Sequence, residues 1–90
     1  MKYTGKQNRE FRSRGHHLKP VVFTGTDGIT EQILSMIEQE LIQNELIKVK
    51  IGKGPIKRKQ AAAILSEKTG AHVAQIIGKV ILLYRPNPET

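Results

Sequence analysis

Apolar and polar positions change their period several times along the 90 residues, and each change marks a new element. The chain opens on "TGKQ", a capping box of the S/T-x-x-E/Q form with Thr4 as the cap and Gln7 reaching back. This predicts a helix from about Gly5 to His17, with Phe11, Gly15 and Leu18 on its inner face, stopped by Pro20. Val21 to Thr24 reads as a short strand. Ile29, Ile33, Leu34, Met36, Ile37, Leu41 and Ile42 then recur at helical spacing. Thr30 can cap that second helix, Ile29 and Leu34 can staple its entry, and Glu31 suits the positive end of its dipole.

The period next drops to two. In "LIKVKIG", Ile47, Val49 and Ile51 point one way and Lys48 and Lys50 the other, the pattern of a half-buried strand with a basic outer face. "GKGPIKRK" is a basic loop punctuated by glycine, and "QAAAILSEKTG" is a third helix packed through Ala61, Ile64 and Leu65 and ended by Gly70. "HVAQIIGKVILLYR" predicts a hairpin with a type II′ turn at Gly78-Lys79. That register sets Ile77 opposite Val80 and Val73 opposite Tyr84.

The order is α-β-α-β-α-β-β. It implies an α/β two-layer sandwich with a four-stranded mixed sheet: parallel neighbours joined by right-handed crossovers, an antiparallel hairpin at the end, and one sheet face largely open. Residues 1–90 form a single domain, with an ordered core over about 3–86 and a frayed tail over 87–90.

Charge changes the picture most. Fifteen Lys and Arg face eight acids, a formal +7. Residues 1–20 and 48–59 hold most of the cations. Residues 21–47 hold Asp27, Glu31, Glu38, Glu40 and Glu45 and no Lys or Arg. Two basic blocks around an acidic one point to a charged face and a polyanionic partner, nucleic acid rather than a membrane surface. With no cysteine, disulfides and zinc-thiolate sites are excluded. No apolar run is long enough to span a membrane and no secretory leader is visible, so a cytoplasmic protein is expected.

"VVFTGTDGITEQIL" carries the most specific local signal, two glycines in G-x-x-G spacing between a strand and a helix. Such a turn can be purely structural. It can also bring backbone N–H groups close to a phosphate oxygen, because glycine lacks a Cβ and the helix N-terminus favours an anion. Asp27 puts a negative charge inside this loop, turned away as a cap or set against the anion. The neighbours His16 and His17 diverge by about 100° on a helix, a poor start for a metal site. Serines 13, 35 and 66 have no nucleophile signature, and no pair of groups announces an acid/base division. A non-enzymatic protein without metal or cofactor is expected. The aromatic residues Tyr3, Phe11, Phe23 and Tyr84 do not form a stacking platform in sequence, so binding is expected to rest on phosphates and shape.

Three stretches, "YTGKQNREFRSRGHHLKPVVFTGTDGITEQIL", "LIKVKI" and "AQIIGKVILLYRP", together resemble the CRM domain (chloroplast RNA splicing and ribosome maturation) in its small stand-alone bacterial form of the YhbY type. The resemblance covers about residues 3 to 86. It implies a fold related to the C-terminal domain of bacterial initiation factor three. It also implies RNA binding in association with precursors of the large ribosomal subunit, through a G-x-x-G loop comparable to that of KH domains. Gly25, Thr26, Asp27 and Gly28 match that loop. Lys6, Arg9, Arg12, Lys48, Lys50, Lys53, Lys57, Arg58 and Lys59 are the candidate phosphate contacts, and His17, in the basic first segment, is a further candidate RNA contact. The protein is expected to act as a monomer on ribosomal RNA, away from membranes. The alternative is a protein-interaction module that docks through the acidic second helix, with Glu38, Glu40 and Glu45 exposed.

Overall fold

A computed structural model describes residues 3–25, 28–52 and 56–86. The predicted tail at 87–90 lies outside the described residues. The elements run α1 (Gly5–Gly15), β1 (Pro20–Phe23), α2 (Glu31–Asn44), β2 (Leu46–Lys50), α3 (Arg58–Thr69), β3 (His72–Ile77) and β4 (Val80–Tyr84). This is the expected α-β-α-β-α-β-β order. The four strands form one mixed sheet in the order β1-β2-β4-β3, with β1 and β2 parallel and the other two pairings antiparallel.

Alternation along the strands divides the core in two. Val22, Ile47, Val49, Ile81 and Leu83 face one way and pack against Ile37 and Leu41 of α2 and Ala61, Ala62 and Leu65 of α3. Burying a residue such as Leu41 or Leu65 contributes about 1.5–3 kcal/mol each. This layer holds the body of the sandwich. The opposite face, expected to be largely open, is partly covered. Phe11 of α1 joins Leu46 and Leu82 in a second, smaller cluster, with Tyr3, Ala74 and Tyr84 at its border. Phe11 stacks on Tyr84 with ring centroids 4.2 Å apart, and Tyr3 meets Phe11 edge-on at 5.2 Å. The alternation of β2 did not reveal this second core, because it is built on Leu46 and Leu82 and not on the lysines between them.

The caps form as the sequence dictates. Gln7 N–H donates to Thr4 Oγ1 at 3.1 Å, Thr4 N–H donates to Gln7 Oε1 at 2.8 Å, and Ile33 N–H donates to Thr30 Oγ1 at 3.2 Å. Helix α1 ends at Gly15, two residues earlier than expected. A Cβ at Gly15 would stand 2.7 Å from Leu82 Cδ1, so the bare backbone lets the helix end press onto the sheet. Leu18, expected on the inner face, is exposed instead, because the helix has ended before it. On α2, Met36 and Ile42 are also exposed, at 42% and 56%, since a helix on a flat sheet buries a narrower stripe than the full apolar set.

The hairpin turns at Gly78, and Ile77 pairs with Val80 as expected. Further along the register differs: Val73 pairs with Leu83, and His72 takes the place opposite Tyr84. An irregularity between Val73 and Gln75 causes the shift. It lets both Val73 and Ile76, three residues apart, pack against the main core.

Candidate nucleic-acid interface

Helix α1 packs on the second sheet face, and a groove of about 670 Å3 lies between it and the strands. Arg9, Arg12, Ser13, His16 and His17 line it from α1 and its C-terminal turn. Lys48 of β2 and Gln75, Ile77, Val80 and Leu82 of the hairpin form its floor. Among the described residues no acidic side chain lines it. The alternation of β2 directs Lys48 here, since its neighbours Ile47 and Val49 face the main core. Helical spacing does the same for Arg9, Arg12 and His16.

The G-x-x-G turn lies at one end of the sheet, where β1 and β2 both finish. Gly28 N–H donates to the Gly25 carbonyl at 3.1 Å, closing the turn. The two glycines differ in kind. Gly28 has φ +76°, is buried, and would set a Cβ 3.1 Å from Ile56 Cδ1. Gly25 is exposed, with open space where a Cβ would be. The amide of Gly28 is thus occupied within the turn, and Gly25 is the glycine with accessible backbone. Thr26 and Asp27 lie outside the described residues. Thr30 caps the following helix and Glu31 is exposed in its first turn, so part of that N-terminus is already satisfied.

The same end of the sheet is knit to the second basic block. Thr24 N–H donates to the Lys50 carbonyl and Gly52 N–H to Thr24 Oγ1, each at 3.0 Å. Arg58 Nη1 donates to the Gly78 carbonyl at 3.0 Å. Lys50, Lys57, Arg58 and Lys59 are all exposed. The first helix and the 56–59 segment do not pack side by side: α1 covers one sheet face and α3 the other. They approach the uncovered end of the sheet from two directions.

Of the candidate contacts, Arg9, Arg12, His17 and Lys48 meet in the groove. Lys50, Lys57, Arg58 and Gly25 border the loop end. Lys6 is exposed on the first turn of α1 and does not line the groove. Lys53 lies outside the described residues. Ser13, His16 and Gln75 also line the groove, and the sequence marked none of them as an RNA contact. The helical spacing of Arg9, Arg12 and His16 was the available signal for one of them.

The histidines separate into two environments. His16 and His17 are exposed with ring centroids 5.4 Å apart. His72 packs beside Tyr3 and its Nε2 lies 2.6 Å from Asn8 Oδ1, and burial lowers its pKa below 6.5. Among the described residues no group of three or more His, Cys, Asp or Glu could hold a metal, and no helix is long and apolar enough to cross a membrane. The acidic helix is less free than its sequence implies. Arg85 Nη1 donates to both carboxylate oxygens of Glu38 and to the Thr69 carbonyl, each at 2.8 Å.

The chain is a three-helix α/β domain with a groove lined by Arg9, Arg12 and Lys48 on the sheet face that α1 covers. The chain belongs to the CRS1/YhbY (CRM) domain family, whose model matches residues 3–85. It is 40% identical to a probable RNA-binding protein of Pseudomonas aeruginosa, over 99% of this chain and 86% of that one. An RNA-binding protein of Haemophilus influenzae is 43% identical, over 93% of this chain and 86% of its own length. The solution structure of a Staphylococcus aureus protein thought to bind RNA superposes with a TM-score of 0.82 at 37% identity, covering 94% of this chain and 90% of that one.

Proposed function

We propose that this protein binds RNA without catalysing a reaction, and that it aids assembly of the large ribosomal subunit as a cytoplasmic monomer. The single observation that carries the reading is the groove in which Arg9, Arg12 and His17 of the first segment meet Lys48, with no acid among the described residues of the lining. Arginine forks and a lysine ammonium suit phosphate oxygens, and they fix position without reading sequence. The exposed backbone at Gly25 offers a further approach to a phosphate at the loop end. The relatives named above support RNA as the polyanion. What the resemblance to the CRM domain implies, association with precursors of the large ribosomal subunit, motivates ribosomal RNA as the RNA bound. The rival reading, docking through the acidic helix, is disfavoured because Glu38 is held by Arg85.

The test is crosslinking in cells, with sequencing of the attached RNA, for the native protein and for the double variant Arg12→Glu, Lys48→Glu. The native protein is expected to recover large-subunit ribosomal RNA. The variant, folded by its thermal melt, is expected to lose at least tenfold of that signal. Equal recovery by both proteins would overturn the groove as the RNA site, and recovery of unrelated RNA would overturn the ribosomal assignment.

A further inference from the structure

Helix α1 leaves one row of the sheet uncovered. Strand register sets Phe23 beside Lys50, Lys50 beside Val80, and Val80 beside Ile77. Their chain neighbours Val22, Val49, Ile81 and Ile76 all pack into the main core, so alternation turns the row outward. Phe23 is 58% exposed and Ile77 62%, Lys50 is exposed, and Val80 is half-buried. Tyr3, Phe11 and Tyr84 are gathered under α1. Phe23 stands apart from that cluster, with its ring presented to solvent.

We propose that Phe23 stacks on an unpaired base of the bound RNA, while Val80 and Ile77 form an apolar floor for a second base and Lys50 meets the phosphate between them. The proposal rests on the RNA-binding reading and adds to it a preference for single-stranded segments. Charge decides the occupant. The row continues into the groove through Ile77 and Val80, which line it together with Arg9, Arg12 and Lys48. Its other end lies two residues before the exposed backbone of Gly25. An apolar protein surface laid on this row would bury the Lys50 ammonium without a partner, which is costly. A nucleotide strand brings an apolar face and a phosphate in alternation, matching aromatic, cation and aliphatic in turn. Phe23 and Ile77 are separated by three strand spacings of about 4.8 Å, room for two splayed bases. A duplex has no free base faces to offer such a row.

The experiment compares a single-stranded RNA with a duplex of the same sequence, at one salt concentration, for the native protein, Phe23→Ala and Phe23→Leu. Because Phe23 is exposed, both variants are expected to melt like the native protein. Phe23→Ala should weaken single-strand binding roughly 5- to 150-fold, the range for loss of one base–aromatic stack, and leave duplex binding within twofold. Phe23→Leu should recover little, since it restores apolar area without a ring. The chain contains no tryptophan, so Phe23→Trp supplies a single fluorophore whose emission the single strand should quench and the duplex should not. An unchanged single-strand affinity in Phe23→Ala, an equal loss on both RNAs, or full rescue by leucine would overturn the proposal. A monomer–dimer equilibrium abolished by Phe23→Ala would overturn it too, by assigning the row to contact between copies. If Arg12→Glu, Lys48→Glu loses RNA while Phe23→Ala does not, stacking alone fails; if the native protein binds neither RNA, both readings fail.

Discussion

At the scale of single residues, the two glycines of the G-x-x-G turn do different work. Gly28 takes a positive φ of 76° against Ile56, so alanine there is strained in backbone and tight in space. Such strain costs about 1–2 kcal/mol. Gly25 has neither constraint, being open where its Cβ would be. Gly28→Ala should therefore lower the melting temperature by several degrees, at about 4–8 °C per kcal/mol for a domain this size. Gly25→Ala should leave stability within about 0.5 kcal/mol. If a phosphate approaches the Gly25 backbone, Gly25→Ala should still weaken RNA binding severalfold. Thermal melts and binding curves for the two variants check this, and an unchanged affinity in Gly25→Ala would leave the turn a purely structural device. Spacing alone could not distinguish these roles, because the sequence shows two identical residues. The difference comes from Ile56, which lies 28 positions away from Gly28 and beyond any local pattern.

At the scale of elements, the legible features were those fixed by neighbours in sequence. The capping box at Thr4, the cap at Thr30, the α2 and α3 segments and the turn at Gly78 depend on contacts within one helix or hairpin, and all of them formed. What was missed depends on how elements meet. The seating of α1 on the sheet follows from Phe11 finding Leu46 and Leu82, residues from two other elements. The β3 irregularity had a trace in the sequence, since Val73 and Ile76 break the strict alternation. The groove was illegible for the same reason as the second core, because neither exists until α1 is docked. Helix α1 therefore carries both the site and a modest share of the stability. Thr4→Ala removes its N-cap and should cost about 1 kcal/mol. The loss belongs to α1, so amide hydrogen exchange should quicken in α1 while the α2 amides keep their protection. Equal acceleration in both helices would instead tie the first helix to the global unfolding unit.

At the scale of the whole molecule, the +7 charge is less informative than its separation. Glu31, Glu38 and Glu40 belong to α2, which packs on one sheet face, whereas Arg9, Arg12 and Lys48 line the groove on the other. The groove side presents Arg9, Arg12 and Lys48 to a polyanion on approach and gains association rate from them. It also limits how many phosphates one binding event can neutralise. If Arg9, Arg12, Lys48 and Lys50 each meet one phosphate, log affinity should fall against log salt with a slope of about −2.8 on single strands and −3.6 on duplex. Engagement of the full net charge would steepen the single-strand slope to about −5. The slope thus separates a focused site from diffuse attraction over the whole surface, two cases that affinity at one salt concentration does not resolve. Fluorescence anisotropy across a KCl series measures it directly. Arg12→Ala should then flatten the single-strand slope by about 0.7, the share of one phosphate. A slope unchanged by that substitution would remove Arg12 from the contact, and a slope near zero would remove phosphate neutralisation from the mechanism altogether.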